Sequence, residues 1–449
     1  MLHHDAMLNL LERALRYSPA EQTEVVLSSS SRGLTRLANG GIHQHVAVTD
    51  TTARARAVVG QRIGVATSNV LDDDGIRALV ERATAMARVA EPNPEFASLP
   101  APVSSNAATA AGRLTVTTDE EDPFTPERRA AMAAIITTTA AEQGVTAAGH
   151  IATSRSSLAV GNSLGTRAYH GWTDCGVMAI MTRDEASGYA AWDGALPDDA
   201  PVAEVAGVAS EKCLAGANPS TVEPGAYTVI LEPPAVAEML AMLGFIGLGA
   251  TALLEGRSFM SERVGERLVG ENITLRDDTY YPGMITLPFD FEGVPRQVVP
   301  FFEFGVARGV VYDSLTAHQA GGGQVSTGHA LPAPNPEGPF PLHLVLNPGT
   351  STREQMIAGV EHGILVTRFH YVNVVHPKET ILTGMTRDGA FLIEHGARSR
   401  PLKNLRFTQS ILAALSAVTA LENRLTLVNQ ENVYCQVPTL CIENFHFTS

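Results

Sequence analysis

A long segment near the N-terminus alternates between apolar and polar residues with a period of two. It runs TEVVLSSSSRGLTRLANGGIHQHVAVTDTTARARAVVGQRIGVATS, and Gly40-Gly41 and Gly60 interrupt the alternation. Side chains of a β-strand point alternately to the two faces of a sheet, so this pattern predicts strands with one buried face. The glycines suit the turns between them, and the segment therefore predicts an antiparallel meander.

Helices are predicted on both sides of this meander. Apolar residues recur at helical spacing over residues 5–18 and again over IRALVERATAMARVA, which begins at Ile76. Asp72 to Asp74 precede the second pattern, where carboxylates interact favourably with the helix dipole. Residues 1–91 are therefore expected to form a small α+β domain.

The remainder of the chain divides into three further segments. Residues 92–122 are rich in Pro, Ala and Ser without a period, which is typical of a linker or long loop. Residues 123–222 start with a helix pattern at Thr125 and Pro126 and continue with alternating strands, which predicts a middle α+β segment. Residues 223–449 are dominated by strand and turn signals and predict a β-rich domain, either barrel-like or a sandwich. The expected fold class is α+β.

Two kinds of local signal lie in the β-rich segment. Ser351 and Glu354 have the spacing of a capping box and Gly363 suits a helix end, so a helix is predicted between them. Asp388-Gly389 and His395-Gly396 are typical of tight turns.

The charge of the chain limits the partners that it can bind. Its 449 residues carry a formal net charge of -15, and the isoelectric point is near 5.4. Nucleic acids and anionic lipid surfaces attract clustered Lys and Arg, so we expect no direct binding to nucleic acid or membrane. The N-terminus lacks the pattern of a signal peptide, and no apolar stretch reaches the ~20 residues of a spanning helix. We therefore expect a cytoplasmic protein.

Two short motifs are weak candidates for catalytic or phosphate-binding sites. GNSLG at 161–165 matches G-x-S-x-G, but the next residues alternate like a return strand, so Ser163 is expected in a hairpin turn. AGGGQVSTGHA at 320–330 has glycines but no lysine after them and no clear helix start, which predicts a mobile loop rather than a phosphate cradle. The four cysteines are scattered, without a C-x-x-C pair, and are expected to be buried thiols.

Two histidines, His370 and His376, lie in the apolar run VTRFHYVNVVHPKET. In one continuous strand they would share a face but lie about 20 Å apart at ~3.3 Å per residue. Ligands of one zinc ion lie only ~2.0–2.1 Å from the metal. We therefore expect solvent-facing or hydrogen-bonded histidines, with contact to a substrate as the alternative.

Long ordered blocks of the sequence resemble the TldD/PmbA family, also known as modulators of DNA gyrase and counted among the metallopeptidases. The blocks are LLEGRSFMSERVGERLVGENITLRDD, NPGTSTREQMIAGVEHGILVTRF and TGMTRDGAFLIEHGARSRPLKNLRF, and GNSLG and the closing VPTLCIENF also fit. The resemblance implies an α+β N-terminal part, a β-rich C-terminal domain, a cytoplasmic dimer and peptide substrates enclosed in a central cavity.

Active members of that family carry H-E-x-x-x-H on the helix before the LEG block, with a cysteine from the C-terminal region as a further zinc ligand. Here the corresponding helix is PPAVAEMLAMLGFIGLGATALLEGRSF, and no histidine lies between His170 and His318. Cys435 and Cys441 do not match the place of the ligand cysteine. The chain therefore resembles the PmbA or TldE branch, for which we expect no metal, no cofactor and no catalytic residue of the family's type.

Without those catalytic groups, the function expected of the chain is the binding of a peptide substrate. Arginine guanidinium groups bind carboxylates through paired hydrogen bonds, so possible substrate-binding residues are Arg257, Arg368 and Arg387, together with His370 and His376. For the arginines, surface or intersubunit ion pairs are the alternative. The expected partners are a metal-carrying TldD-like homologue or a second copy of the chain, with a peptide or unfolded polypeptide as substrate.

Two other hypotheses remain open from the sequence. The chain could be an active peptidase whose metal or nucleophile is assembled elsewhere, for instance from His318, His329, His370 and His376. It could instead be a non-enzymatic regulator of DNA gyrase, although the acidic charge argues against direct contact with DNA.

Overall fold

The structure, a computed structural model, describes residues 2–102 and 124–449. Most of the predicted linker, residues 103–122, lies outside the described residues. The part that is described, residues 92–102, contains no helix or strand. Phe96 and Leu99 of this part are buried against Val58.

The N-terminal segment forms the predicted meander between two helices. Its elements are α1 (His4–Tyr17), β1 (Gln22–Ala38), β2 (Gly41–Val59), β3 (Arg62–Ser68) and α2 (Asp73–Val89). Gly40 and Gly60 occupy the two turns with positive φ angles of 75° and 61°, a conformation that glycine adopts without steric cost. The alternation in the sequence thus predicted both the strands and their connections.

The middle segment repeats the same order of elements. They are α3 (Pro126–Gln143), β4 (Thr146–Asn162), β5 (Arg167–Arg183), β6 (Ala186–Gly194) and α4 (Val202–Ala215). The strands of both segments join in one antiparallel sheet of order β3-β2-β1-β4-β5-β6, in which β1 pairs with β4 from Glu24–Asn162 to Leu37–Gly149. The repeat is one of topology, because the sequence shows no repeat of fixed period.

Glycines on the two outer strands allow the helices to approach the sheet. A Cβ atom on Gly64 of β3 would lie 2.1 Å from the carbonyl oxygen of Ala83 in α2. On Gly188 of β6 it would lie 2.2 Å from the carbonyl oxygen of Ala209 in α4. In both halves of the sheet, therefore, a glycine of the outer strand packs directly against the backbone of a helix.

The C-terminal domain contains two further sheets. Its first elements are β7 (Gly225–Leu231), α5 (Pro233–Gly247), α6 (Ala250–Leu254), β8 (Leu275–Asp277), β9 (Val299–Glu303), β10 (Val306–Ala307), α7 (Ser314–Ala320), β11 (His343–Leu346) and α8 (Arg353–Ala358). They are followed by β12 (His362–His376), β13 (Ile381–Glu394), β14 (Ala397–Pro401), β15 (Arg406–Ser410), α9 (Ile411–Ser416), β16 (Val418–Leu421), β17 (Thr426–Gln430), β18 (Val433–Val437) and β19 (Leu440–Phe447).

The first of these sheets is barrel-like. Its strands follow the order β12-β7-β19-β15-β13, and β13 pairs back to β12. The second sheet has the order β10-β9-β8-β11-β18-β17. The predicted α+β class with a β-rich C-terminal domain is confirmed. None of the helices in the described ranges is long and apolar enough to cross a bilayer.

Two local predictions in this domain are wrong in detail. The helix near 351 is capped by Thr352, whose side chain accepts the N–H of Gln355 at 3.2 Å, so the capping box lies one residue later than predicted. The helix ends at Ala358, and Gly363 lies in β12. Asp388-Gly389 lies inside β13 rather than in a turn, with φ angles of 54° and 129°, whereas the turn at His395-Gly396 connects β13 to β14.

The N-terminal and middle segments, which share the six-stranded sheet, are called the sheet domain below. A buried group of charges joins this sheet domain to the C-terminal domain. Glu232, at the end of β7, accepts hydrogen bonds from Lys212 of α4 at 2.5 Å and from Arg353 of α8 at 2.8 Å. Burial alone would raise the pKa of Glu232, but the two cations hold it below its ordinary value. This carboxylate is therefore ionised and bonded to both domains.

Candidate functional site

The helix that the family motif would occupy, α5, lines a groove in the C-terminal domain. The groove has a volume of about 500 Å³ and lies between α5, the distal half of β12 and the β17–β18 hairpin. We call it the α5 groove. The residues that line it are Glu238, Ala241, Met242, Phe245, Phe340, Leu342, Val372, Asn373, Val374, Gln430, Glu431 and Val433.

The distal half of β12 contributes a free strand edge to the α5 groove. Beyond Val366, β12 pairs only with β13, because its pairing with β7 covers residues 363–366. A bulge between His370 and Asn373, with Tyr371 at a φ of 54°, redirects this part of β12. Among the described strands, β17 pairs only with β18 and ends its sheet, but the Asn429 N–H on its outer edge donates to Asp193 Oδ2 of β6 at 3.0 Å. Backbone N–H and C=O groups without a strand partner are suited to pairing with another extended chain.

Glu238 is the only ionisable side chain of α5, whose sequence is PPAVAEMLAMLGFIG. Its carboxylate makes no hydrogen bond or ion pair with any residue of 2–102 or 124–449. Burial raises the pKa of Glu238 to about 7, Arg368 opposes this shift and Glu431 adds to it. An unpaired, half-buried carboxylate in an apolar groove is unfavourable for folding, which makes it a candidate functional group.

This cost of Glu238 is measurable as a dependence of stability on pH. Below its unfolded pKa of 4.5 the carboxyl is neutral in both states. Between pH 4.5 and about 7, Glu238 is ionised in the unfolded state but still protonated in the folded state. Ionisation therefore favours the unfolded state, and the free energy of unfolding of the wild type falls as the pH rises. Glu238→Gln is therefore expected to match the wild type near pH 4 and to exceed it by about 1–2 kcal/mol near pH 8, allowing for partial exposure. Urea unfolding at both pH values tests this, and an equal difference at both would contradict it.

The arginines Arg368 and Arg387 face each other across β12 and β13. Arg368 donates from Nε to Asp388 Oδ2 at 2.8 Å, donates a second bond from Nη2, and covers the ring of Tyr189 at 4.7 Å. Arg387 Nε lies 3.9 Å from the same Asp388 oxygen. Both guanidinium groups thus share Asp388 as an internal counter-charge, and neither is among the residues that line the α5 groove, so their predicted contact with a substrate stays a prediction.

The two histidines of β12 are not brought together. His370 lies opposite Met385 and His376 opposite Ile381, which places them about 13 Å apart along β13 at ~3.3 Å per residue. Burial and the neighbouring arginines lower the pKa of His370. His376 is exposed and accepts the N–H of Glu379 at 3.2 Å.

The other residues that were singled out from the sequence lie elsewhere. Arg257 is exposed, pairs with Glu255 at 2.5 Å and does not line the α5 groove. Ser163 lies in the β4–β5 turn, as predicted, and its hydroxyl accepts the N–H of Thr23 at 3.0 Å. The glycines 321–323 follow the C-terminal end of α7, so they do not form a helix N-terminus that could bind phosphate.

The donor atoms around α5 do not fit zinc. The thiol of Cys435 packs against α5, with its Sγ 3.9 Å from the carbonyl oxygen of Ala237, and burial raises its pKa. Zinc requires thiolate, neutral imidazole or carboxylate ligands, usually four in a structural site and three in a catalytic site. Within the part of the chain that the structure describes, no three His, Cys, Asp or Glu side chains converge at such a distance. The same holds around His329, which is fully buried and whose Nε2 lies 3.1 Å from Asp277 Oδ1.

A second cavity, of about 530 Å³, lies between the sheet domain and the C-terminal domain. The β17–β18 hairpin separates it from the α5 groove. Asn429, Asn432 and Tyr434 line the interdomain cavity, and Gln430, Glu431 and Val433 of the same hairpin line the α5 groove. Sequence reasoning missed this hairpin, since only the polar run NQEN signalled a turn there.

Comparisons with known proteins identify the family of the chain. The family model described as PmbA/TldA metallopeptidase C-terminal domain matches residues 224–449, and PmbA/TldA metallopeptidase domain 1 matches residues 23–87. An uncharacterised protein of Methanocaldococcus jannaschii is 31% identical over 103 residues, which is 23% of this chain and 24% of that protein.

Solved structures resemble the whole fold. TldE from Thermococcus kodakarensis superposes with a TM-score of 0.86 and 19% identity, over 99% of this chain and 100% of that one. A proposed modulator of a DNA gyrase from Thermotoga maritima gives 0.84 and 17% identity, over 98% and 100%. One from Bacteroides thetaiotaomicron gives 0.80 and 19% identity, over 100% of both chains. At these identities the structural likeness shows the fold alone. The family model of the C-terminal domain, however, matches half of the sequence. The chain therefore belongs to the PmbA/TldD family.

Proposed function

We propose that this protein is the metal-free, TldE-type member of a peptidase assembly and that it binds an extended polypeptide in the α5 groove. The observation that carries the proposal is α5 itself, which has one glutamate and no imidazole and lies beside the free edge of β12. Metal-dependent hydrolysis would be supplied by a metal-carrying homologue. A homodimer that only binds polypeptide is the alternative assembly, and the acidic, cytoplasmic character predicted from the sequence suits either.

The walls of the groove favour a chain in extended conformation. A polypeptide added beside the distal half of β12 would bind through its backbone, which makes weak demands on sequence. Met242, Phe340 and Val374 supply apolar contacts for every second side chain. Binding of this kind suits partly unfolded proteins and peptides as substrates.

Exposed apolar residues near the groove support the proposed partner. Phe245 is 67% exposed, Tyr371 76% and Val375 56%. Phe245 lines the α5 groove, and the other two residues flank the part of β12 that lines it, so exposed apolar surface borders the groove and favours coverage by another chain. Light scattering with and without a metal-carrying homologue from the same organism tests the assembly, and a monomer under both conditions would contradict it.

Binding through the backbone gives a direct test of the groove. A labelled peptide in extended conformation is expected to bind the purified chain, and N-methylation of alternate amides is expected to weaken binding at least tenfold because it removes the N–H donors. Fluorescence anisotropy measures both affinities. Equal affinity of the two peptides would contradict strand addition.

The metal content of the chain gives an independent test. We expect the protein purified in metal-free buffers to contain far less than one zinc per chain, since the donor set around α5 does not fit. One equivalent of zinc, together with peptide cleavage that a chelator abolishes, would favour an active peptidase instead.

A further inference from the structure

We propose that the α5 groove selects polypeptides that carry a lysine or arginine beside apolar residues, with Glu238 as the group that binds the cation. This inference rests on the proposed function, because it names the substrate class of the same groove. It follows from the charges that the groove presents and from those that its neighbours have already engaged.

Glu238 has no cationic partner within the described residues. The cation that interacts electrostatically with Glu238 is Arg368. Its guanidinium group, however, is bonded to Asp388 and covers the ring of Tyr189. Glu431, at the tip of the β17–β18 hairpin, lines the same groove and adds a second carboxylate. The charged side chains that line the α5 groove are therefore both negative.

The shape of the groove distinguishes a cationic side chain from other ligands. Lysine and arginine have aliphatic stems that pack on apolar walls such as Met242, Phe245 and Val374 while the charged end reaches a carboxylate. An acidic peptide would be repelled by Glu238 and Glu431. A fully apolar peptide would cover Glu238 and leave its carboxylate buried without a partner, which is costly.

The experiment compares two peptides that differ only in charge. The first carries lysine at its central position and the second carries norleucine, which keeps most of the aliphatic stem without the ammonium group. At about pH 8 the lysine peptide is expected to bind the wild type roughly tenfold more tightly, a typical effect of a close charge pair in a partly dry site. In Glu238→Gln the two peptides are expected to bind equally.

A matched control separates Glu238 from the general acidity of the chain. Glu81→Gln changes an exposed residue of α2 in the other domain and removes the same charge. It is expected to keep the tenfold preference for lysine, and circular dichroism verifies that both variants are folded. Loss of the preference in Glu81→Gln would assign it to net charge and overturn the inference.

The outcomes distinguish this inference from the proposed function. Equal binding of both peptides by the wild type would overturn the selection of cationic side chains and leave peptide binding intact. Absence of binding by either peptide would overturn both. A lysine preference that persists in Glu238→Gln would show that another group binds the cation.

Discussion

Replacement of Glu232 by alanine is expected to lower the free energy of unfolding by about 3–5 kcal/mol, the cost of breaking a buried ion pair from one side. The side chains of Lys212 and Glu232 are only 8% and 5% exposed. Without the carboxylate, the ammonium group of Lys212 stays buried and keeps only the carbonyl oxygen of Tyr189 at 3.3 Å as a partner. Urea unfolding at neutral pH measures the loss.

Two control variants separate burial from charge. Arg353 is 43% exposed, so Arg353→Ala removes the second partner of Glu232 at a cost of about 1 kcal/mol or less. The double variant Glu232→Gln, Lys212→Met replaces the buried pair by neutral groups and is expected to recover most of the stability lost in Glu232→Ala. A loss below about 1 kcal/mol in Glu232→Ala would contradict the buried state of the pair.

The predictions that succeeded from sequence depend on local patterns. The alternation around Gly40 and Gly60 gives strands and turns because both signals lie within a few residues of each other. Thr125 and Gly144 likewise mark the ends of α3, where the Thr125 hydroxyl accepts an N–H and Gly144 takes a φ of 65°. Such features need no knowledge of distant residues.

The pairing of β1 with β4 could not be predicted in the same way. Ser29 lies opposite Ser157, more than a hundred positions away along the chain. An antiparallel edge accepts many partners through its backbone, and the apolar pattern states which face is buried but not against which strand. The single sheet that joins the two halves therefore emerged only from the structure.

The candidate site shows the same division. The absence of histidine from α5 was evident in the sequence, and so was the isolation of Glu238 among apolar residues. The groove itself depends on the bulge at Tyr371 and on the hairpin tip at Glu431, both of which have positive φ angles without glycine. Arg368 was identified as a possible anchor for carboxylates, yet its partner Asp388 carried only a turn signal.

A second large effect is expected at Gly188. A Cβ atom there would lie 2.2 Å from the carbonyl oxygen of Ala209 and 2.4 Å from the amide nitrogen of Cys213. Both atoms belong to the backbone of α4, so no side chain can rotate away and the helix must move as a unit. That movement would separate Val205 from the apolar cluster beneath the helix. Gly188→Ala is expected to cost about 2–3 kcal/mol or more, at the upper end of overpacking effects.

The same helix provides the control for Gly188→Ala. Gly207 is an exposed glycine of α4 with nothing within 4 Å of its virtual Cβ atom. Gly207→Ala is expected to stabilise the protein by about 0.5–1 kcal/mol, because alanine loses less backbone freedom in a helix. Thermal and urea unfolding are expected to show a lower stability for Gly188→Ala and a higher stability for Gly207→Ala, although both variants replace glycine by alanine. If Gly188→Ala also stabilised the protein, α4 would not lie on β6 at the distance described, and the equivalent contact of Gly64 with α2 would need the same revision.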